Sequence, residues 1–376
     1  MMNIKAFILL ITCVISASRS MAQVKTDNPV ITQLDKAVNR AAMQYMSDST
    51  ANGLNIGIVY KGKTYSYHYG ENVKGTGKLP SDDLYYNIGS IAKTFTGTLL
   101  AQAVIDKRIG LHDDIRKYLP GCYPKLQYQG HPVTVVQLAN HTSGLPGVIR
   151  DLYPEEKIKL RELSFAGQAN YLSHYNADSL QQDLHHVIPD TIPGTRYRYN
   201  TNGVMLLQYI LERVYSCGYK KLITEYLQTR LGLHHITPIL DRKQMKLAAQ
   251  GYTKDAKPQS YVNLEGYYIG PSINATMHDL LGYVRAQLDE LDPAIRLSHQ
   301  LTWTGPNGFA VGLNWMSNTE NATRYFYHEG NTKLGFNSLC TIYPMKQLGI
   351  FIIANDVHSQ EKIGQMENTI HNAVKQ

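Results

Sequence analysis

Regions of alternating apolar residues lie near both ends of this 376-residue chain, and the middle of the chain is rich in helical patterns and loops. Residues 56–60 and 65–69 alternate on either side of a Lys61-Gly62 turn, a spacing that is typical of a hairpin with one buried face. Four later segments have strand character, namely residues 309–315, 325–329, 335–343 and 348–354. Strands at both ends and helices between them predict one α/β domain that is split by a helical insertion.

The helical predictions rest on apolar residues that recur at helical spacing. We expect helices over residues 31–46, 90–109, 219–231, 277–288 and 360–374, and another that carries apolar residues 206–214 and ends at Gly218. Gly110 follows Lys107 and Arg108, which is a typical helix C-terminus. The chain is therefore predicted to be α/β (α+β), with residues 23–115 and 285–376 in a sheet domain and residues 116–284 in a mainly helical domain.

The N-terminus is typical of a secretory signal peptide. Lys5 provides the positive charge, residues 6–15 are mainly apolar, and small residues precede Gln23. We expect cleavage near Ala22, which makes residues 1–22 the signal peptide and the mature protein secreted or periplasmic. An uncleaved anchor and a lipoprotein formed through Cys13 are the alternatives. No other stretch is long and apolar enough to span a bilayer, so no membrane span is expected after cleavage.

Composition excludes several classes of protein. The net charge of +7 comes from scattered residues rather than a Lys/Arg run, so we expect no nucleic-acid partner. Four isolated cysteines form neither a C-x-x-C pair nor a dense disulfide framework. The sequence allows two alternatives: one disulfide among Cys122, Cys217 and Cys340, or three free thiols. The adjacent histidine pairs at 185–186 and 234–235 lack the spacing that puts two ligands on one helix face, so neither a metal nor another cofactor is expected.

Ser90 and Lys93 form the first candidate catalytic pair. A serine hydroxyl is a weak nucleophile until a base takes its proton. Residues i and i+3 share a helix face, so Lys93 is predicted to hold its amine near the Ser90 hydroxyl. The helix N-terminus would add N–H groups that suit an oxyanion. An N-cap serine followed by an unrelated surface lysine is the structural alternative.

Five segments in order resemble the β-lactamase-related serine hydrolases, which include class C β-lactamases, D-alanyl-D-alanine carboxypeptidases, D-aminopeptidases and family VIII esterases. They are residues 84–96, 110–120, 133–145, 193–199 and 274–280. The resemblance implies a β-lactamase/transpeptidase-like fold with an antiparallel sheet flanked by helices, an inserted mainly helical domain and the active site between the two domains. It also implies catalysis by Ser90 and Lys93.

The second motif of that family, Tyr-x-Asn, is similar to Tyr199-Asn200-Thr201. The resemblance makes Tyr199 the proton shuttle, which requires a phenol pKa lowered by a cation such as Lys93. Thr201 stands where the family has Asn. Either Thr201 binds the substrate amide and Lys93, or a local shift turns Asn200 or Asn202 inward.

The third motif is His328-Glu329-Gly330, which resembles the His-x-Gly variant of the family. By analogy, His328 would donate a hydrogen bond to Tyr199 or to a substrate carboxylate. Gly330 would let the substrate approach the strand closely, and the backbone N–H of Asn331 would join that of Ser90 in the oxyanion hole. Glu329 is expected to point away, since strand neighbours alternate faces.

These residues predict a serine hydrolase that cleaves a small ester, amide or peptide through an acyl-Ser90 intermediate, as an esterase or as a D-aminoacyl peptidase or carboxypeptidase. β-Lactamase or penicillin-binding activity is one alternative, although His328 in place of lysine argues against rapid β-lactam hydrolysis. A catalytically silent binding protein that retains the fold is the other, and Thr201 is its support.

Overall fold

The computed structural model describes residues 24–146, 154–263, 272–357 and 360–374. The predicted signal peptide, its cleavage site and Cys13 lie outside the described residues. The strands of the described chain are β1 (Gly53–Tyr60), β2 (Lys63–Gly70), β3 (Tyr86–Asn87), β4 (Gln127–Tyr128), β5 (His131–Pro132), β6 (Ile236–Thr237), β7 (Gly251–Tyr252), β8 (Pro258–Gln259), β9 (Asn274–Ala275), β10 (Trp303–Thr304), β11 (Ala310–Val311), β12 (Met316–Glu320), β13 (Thr323–Thr332), β14 (Phe336–Tyr343) and β15 (Leu348–Ala354). Eight of these strands form the main sheet in the order β10-β11-β12-β13-β14-β15-β1-β2, and every neighbouring pair is antiparallel.

Helices cover both faces of the main sheet and fill the middle of the chain. They are α1 (Gln33–Met46), α2 (Ala92–Ile105), α3 (Val135–Ala139), α4 (Pro154–Glu162), α5 (Phe165–Ser173), α6 (Ala177–Leu184), α7 (Thr201–Tyr215), α8 (Tyr219–Leu231), α9 (Met277–Asp289), α10 (Pro293–Ser298) and α11 (Gln360–Ala373). This mixture of helix and antiparallel sheet confirms the predicted fold class.

The interior strand β15 has an unbroken apolar sequence because both faces of the sheet are covered. Ile350 and Ile352 pack with the buried residues of α1 and α11 on one face. Phe351 and Ile353 point to the other face, where they join the core formed with α2 and α9. The helix α9 packs on β1, β14 and β15. A domain boundary at residue 285 would fall inside this helix, which covers Met277–Asp289.

The predicted strand 309–315 is wrong over most of its length. Only Ala310–Val311 pair as a strand, and Asn314 has a φ of 62°, which breaks extended backbone. The N–H groups of Leu313 and Asn314 donate to the Ser298 and Ala139 carbonyls instead of a neighbouring strand. The sequence also gave no prediction for β12, a polar strand that pairs with β13 through backbone hydrogen bonds.

Two predicted helix ends are also wrong. The helix that begins beside Ser90 ends at Ile105 rather than at residue 109, because Lys107 has a φ of 56°. α7 ends at Tyr215, where Ser216 adopts the left-handed conformation, and Gly218 is the N-cap of α8. The other predicted helices and the hairpin are confirmed to within about two residues.

The described part of the chain contains no helix that is both long enough and apolar enough to cross a membrane. Its three cysteines, Cys122, Cys217 and Cys340, are free.

Candidate active site

A tight turn holds Ser90 between the main sheet and α2. Gly89 begins a 3-10 turn, Gly89–Ile91, and has a φ of 58°, which glycine adopts without steric cost. A Cβ on Gly89 would lie 2.8 Å from the Asn331 backbone nitrogen. Ile88 and Ile91 are fully buried on either side and anchor the turn. The sequence therefore folds so that Ser90 stands directly beside the end of β13.

Lys93 lies one turn beyond Ser90, as its spacing predicts. Its Nζ donates to Ser90 Oγ over 3.0 Å. Only 3% of Lys93 is exposed, and this burial lowers the pKa of the amine to about 7. Near neutral pH a large share of Lys93 is therefore uncharged, and its lone pair can accept the Ser90 proton. The alternative of a surface lysine beside an N-cap serine is excluded by this geometry.

Tyr199 meets the same serine from the loop before α7. The side chains of Ser90 and Thr201 lie close enough to its phenol to lower the pKa, and Lys93 Nζ lies 5.1 Å from the centre of its ring. Burial of the phenol raises its pKa to about 12, although 40% of the residue's surface is exposed. The expectation of a lowered pKa is wrong, because desolvation of the phenol outweighs the lowering of its pKa by Ser90 and Thr201. Tyr199 stays protonated at neutral pH and can donate or relay a proton.

The structure distinguishes the three residues that follow Tyr199. Thr201 lines the cavity beside Ser90, and its side chain lowers the pKa of the Tyr199 phenol. Asn200 is turned away, because its side chain accepts from Gly203 N as the N-cap of α7 and donates to the Leu145 carbonyl. Asn202 is 7% exposed and does not line this cavity. Thr201 thus occupies the position that faces the site.

His328 lies on β13 near Tyr199, with ring centres 6.1 Å apart. Its Nδ1 is 2.8 Å from the Glu329 carbonyl, so Nδ1 carries the proton and donates. Its Nε2 is buried without a hydrogen-bond partner among the described residues, and burial lowers the pKa of the ring to about 3. His328 is therefore neutral with Nε2 as an acceptor. The expected donation from His328 to Tyr199 or to a substrate carboxylate does not fit this tautomer.

Gly330 allows close packing of β13 next to Ser90. A Cβ at Gly330 would lie 2.2 Å from both the Ile88 carbonyl oxygen and Ser338 Oγ. The missing side chain lets β13 lie against the turn that carries Ser90. Glu329 is exposed, in agreement with the predicted alternation, and Asn331 lines the cavity with Ser90.

A cavity of about 280 Å³ opens next to Ser90. Most of its described lining residues come from the Ser90 turn, from α5 and from the end of β13. The lining consists of Asn87, Gly89, Ser90, Lys93, Phe165, Gln168, Ala169, Leu172, Thr201, Ser272, Asn331, Thr332 and Lys333. No sequence pattern predicted that α5 residues line the cavity, because their place in the site depends on how the insertion packs.

His141 is a site residue that motif reasoning did not single out. It is 2% exposed, and its ring centre lies 4.5 Å from that of Tyr199. Its Nδ1 accepts the N–H of Asn200 over 3.2 Å, which fixes the start of α7 relative to the loop at residue 141. Burial lowers the pKa of this ring to about 3 as well. The signal was its place in the segment 133–145 that carries the family resemblance.

No group of three or more His, Cys, Asp or Glu is placed to hold a metal ion within the described ranges. The side chains around Ser90 are suited to nucleophilic catalysis and proton transfer.

Comparisons with known proteins identify the family. A family model described as Beta-lactamase matches residues 38–373. The chain therefore belongs to the β-lactamase family of serine hydrolases.

Individual relatives are distant. A beta-lactamase of Pseudomonas fluorescens is 26% identical over 294 residues, which cover 76% of this chain and 74% of the relative. Protein flp of Staphylococcus aureus (strain MRSA252) is 26% identical over 316 residues, or 81% of this chain and 59% of that protein.

Solved structures show the same fold. A class C beta-lactamase in complex with cefoxitin superposes with a TM-score of 0.76 at 22% identity and covers 91% of this chain and 99% of that one. A beta-lactamase/D-alanine carboxypeptidase from Pseudomonas syringae superposes with a TM-score of 0.72 at 24% identity, with 91% and 99% coverage.

Proposed function

We propose that this protein hydrolyses a small ester, amide or peptide through an acyl-Ser90 intermediate. The observation that carries the proposal is the 3.0 Å contact between Ser90 Oγ and the buried amine of Lys93. A desolvated lysine of lowered pKa is an effective general base for a serine nucleophile.

In the proposed acylation step, neutral Lys93 takes the Ser90 proton while Oγ attacks the carbonyl carbon. The backbone N–H groups of Ser90 and Asn331 stabilise the oxyanion. Tyr199, which lies beside Ser90, donates its proton to the leaving group and is restored by the proton that Lys93 took. Water then attacks the acyl-enzyme by the reverse sequence and releases the acid.

For the substrate, we favour an ester or a D-aminoacyl peptide over a β-lactam. The neutral ring of His328 provides no fixed cation for a β-lactam carboxylate. The relatives named beta-lactamase support β-lactam hydrolysis as the second candidate. The family Asn is absent at Thr201, which supports a silent binding protein as the third.

A hydrolysis panel separates these candidates. Short-chain aryl esters, D-Ala-D-Ala peptides and nitrocefin should be compared with the wild type and with Ser90→Ala as the matched control. We expect Ser90-dependent turnover of an ester or a peptide and slow turnover of nitrocefin. Rapid nitrocefin hydrolysis would establish a β-lactamase instead, and no Ser90-dependent turnover of any substrate would support the silent protein.

We further propose that the mature protein is secreted or periplasmic. The support is the charge at Lys5 followed by the apolar residues 6–15. Cell fractionation, with mass measurement of the mature N-terminus near Gln23, tests this proposal, and a cytoplasmic full-length chain would overturn it.

A further inference from the structure

The cavity beside Ser90 is placed to receive the acyl part of the substrate. Ser90, Lys93 and Thr201 line it, but Tyr199 and His328 do not. In the proposed reaction Tyr199 gives its proton to the leaving group, so the leaving group lies on the Tyr199 side of the serine. The acyl group, which stays bonded to Ser90, therefore occupies this cavity.

One wall of the cavity is apolar. Phe165, Ala169 and Leu172 of α5 line it, and their spacing of four and then three residues puts them on one face of the helix. Ala169 is buried, and the other two are half-buried. This wall suits a short hydrocarbon chain.

The rim of the cavity is cationic. Lys333, which follows β13, is exposed and lines the cavity, and its Nζ donates to Gln168 Oε1 over 3.3 Å. Within the described residues Lys333 has no acidic partner, and none of the described lining residues is Asp or Glu. Gln168 is a neutral acceptor that can be displaced by a stronger one.

The nearest acidic residue along the strand is on the other side of the site. Glu329 precedes Lys333 by four residues, which is about 13 Å along an extended strand. It lies close enough to Tyr199 to raise the pKa of that phenol. Among the described residues, the charge therefore changes from negative beside Tyr199 to positive at Lys333.

We propose that this cavity selects acyl groups that end in a carboxylate, with the apolar chain against α5 and the carboxylate on Lys333. The inference rests on the proposed serine hydrolase function and names its substrate class. Acylation forms the bond from Ser90 Oγ to the acyl carbon and breaks the bond to the leaving group, which departs with a proton. Water then releases a dicarboxylic acid.

Two matched substrates test the charge alone, mono-p-nitrophenyl adipate and its methyl ester. Adipate is chosen because aryl half-esters of shorter diacids are cleaved rapidly by attack of their own carboxylate. We expect the wild type to prefer the half-ester by about fivefold in kcat/KM through a lower KM, which is the effect of one partly exposed ion pair. The preference should shrink as salt is added.

Variants at the rim separate charge from packing. Lys333→Gln should bring the ratio of the two kcat/KM values close to one, and Lys333→Glu should invert it. Lys221→Gln, at an exposed position on α8 outside the cavity lining, is the control and should leave the ratio as it is. An unchanged ratio in Lys333→Gln, or an equal loss for both substrates, would overturn the role of Lys333.

The same data keep this inference apart from the proposed function. If the wild type hydrolyses the methyl ester in a Ser90-dependent manner without preferring the half-ester, the inference fails and the serine hydrolase stands. If neither ester is hydrolysed and a fluorophosphonate forms no adduct at Ser90, the proposed function itself fails.

Discussion

The pKa of Lys93 predicts the shape of the pH–rate profile. Burial lowers this pKa from 10.5 to about 7, a shift that corresponds to about 5 kcal/mol of added cost for the charged amine. Because Lys93 is only 3% exposed, solvent screens little of this cost. The neutral fraction is then about one tenth at pH 6, one half at pH 7 and nine tenths at pH 8.

We therefore expect kcat/KM to rise about tenfold per pH unit below pH 7 and to level off above pH 8. The nearby ionisable groups do not mimic this limb, because His141 and His328 have pKa values of about 3 and Tyr199 has one of about 12. Stopped assays of a neutral aryl ester between pH 5 and pH 10, corrected for spontaneous hydrolysis, give the profile.

Lys93→Arg completes the test, because a guanidinium stays protonated and cannot act as the base. We expect a loss of about 10²- to 10⁴-fold in kcat, with folding checked by circular dichroism. A profile that keeps rising from pH 8 to pH 10 would indicate an ordinary lysine. A flat profile from pH 5 to pH 8, or an active arginine variant, would refute Lys93 as the base.

Three further predictions concern stability. Gly330→Ala should lower the free energy of unfolding by about 1–3 kcal/mol because its Cβ meets the Ile88 carbonyl, whereas Gly364→Ala, with open space around it, should be neutral or stabilising by up to about 1 kcal/mol in the same urea titrations. Burial raises the pKa of Glu367 from 4.5 to about 7, so the unfolded chain loses this proton first and the stability of the fold falls as pH rises from 4.5 to 7. Glu367→Gln should therefore raise the Tm at pH 8 but not at pH 4, and an equal shift at both pH values would contradict this. Lys93→Met should abolish activity yet raise the Tm at pH 6, and a lower Tm would count against the cost of burying this amine.

The pairing of Ser90 with Lys93 could be predicted because it depends on local geometry alone. Residues three apart near a helix start share a face wherever that helix packs. The outward direction of the Glu329 side chain could be predicted in the same way, because strand neighbours alternate faces. Period-two and helical patterns also located most of the regular elements, since each buries its own apolar face.

The charges of the site could not be predicted, because they depend on burial that only the assembled fold creates. Lys93 looks like a cation in the sequence, and its effect on Tyr199 was predicted from that charge. The folded chain buries the Tyr199 phenol, so the pKa of the phenol rises instead of falling. His328 likewise has its proton direction set by the Glu329 carbonyl, which no motif encodes.

The sequence also could not predict the conformation of segments whose backbone groups form hydrogen bonds outside a regular helix or strand. Leu313 and Asn314 are held by carbonyls of Ser298 and Ala139, which are distant along the chain. β12 has few apolar residues, although Asn321 and Ala322, with φ of 47° and 60°, form the short turn that pairs it with β13. That turn was the available signal.

The most direct test of the account is the mass of the protein after reaction with a fluorophosphonate. We expect one adduct per chain, located by peptide mapping at Ser90, formed faster at pH 8 than at pH 6 and absent in Ser90→Ala. A folded wild-type protein that forms no adduct, or that forms it on another residue, would contradict the acyl-Ser90 mechanism.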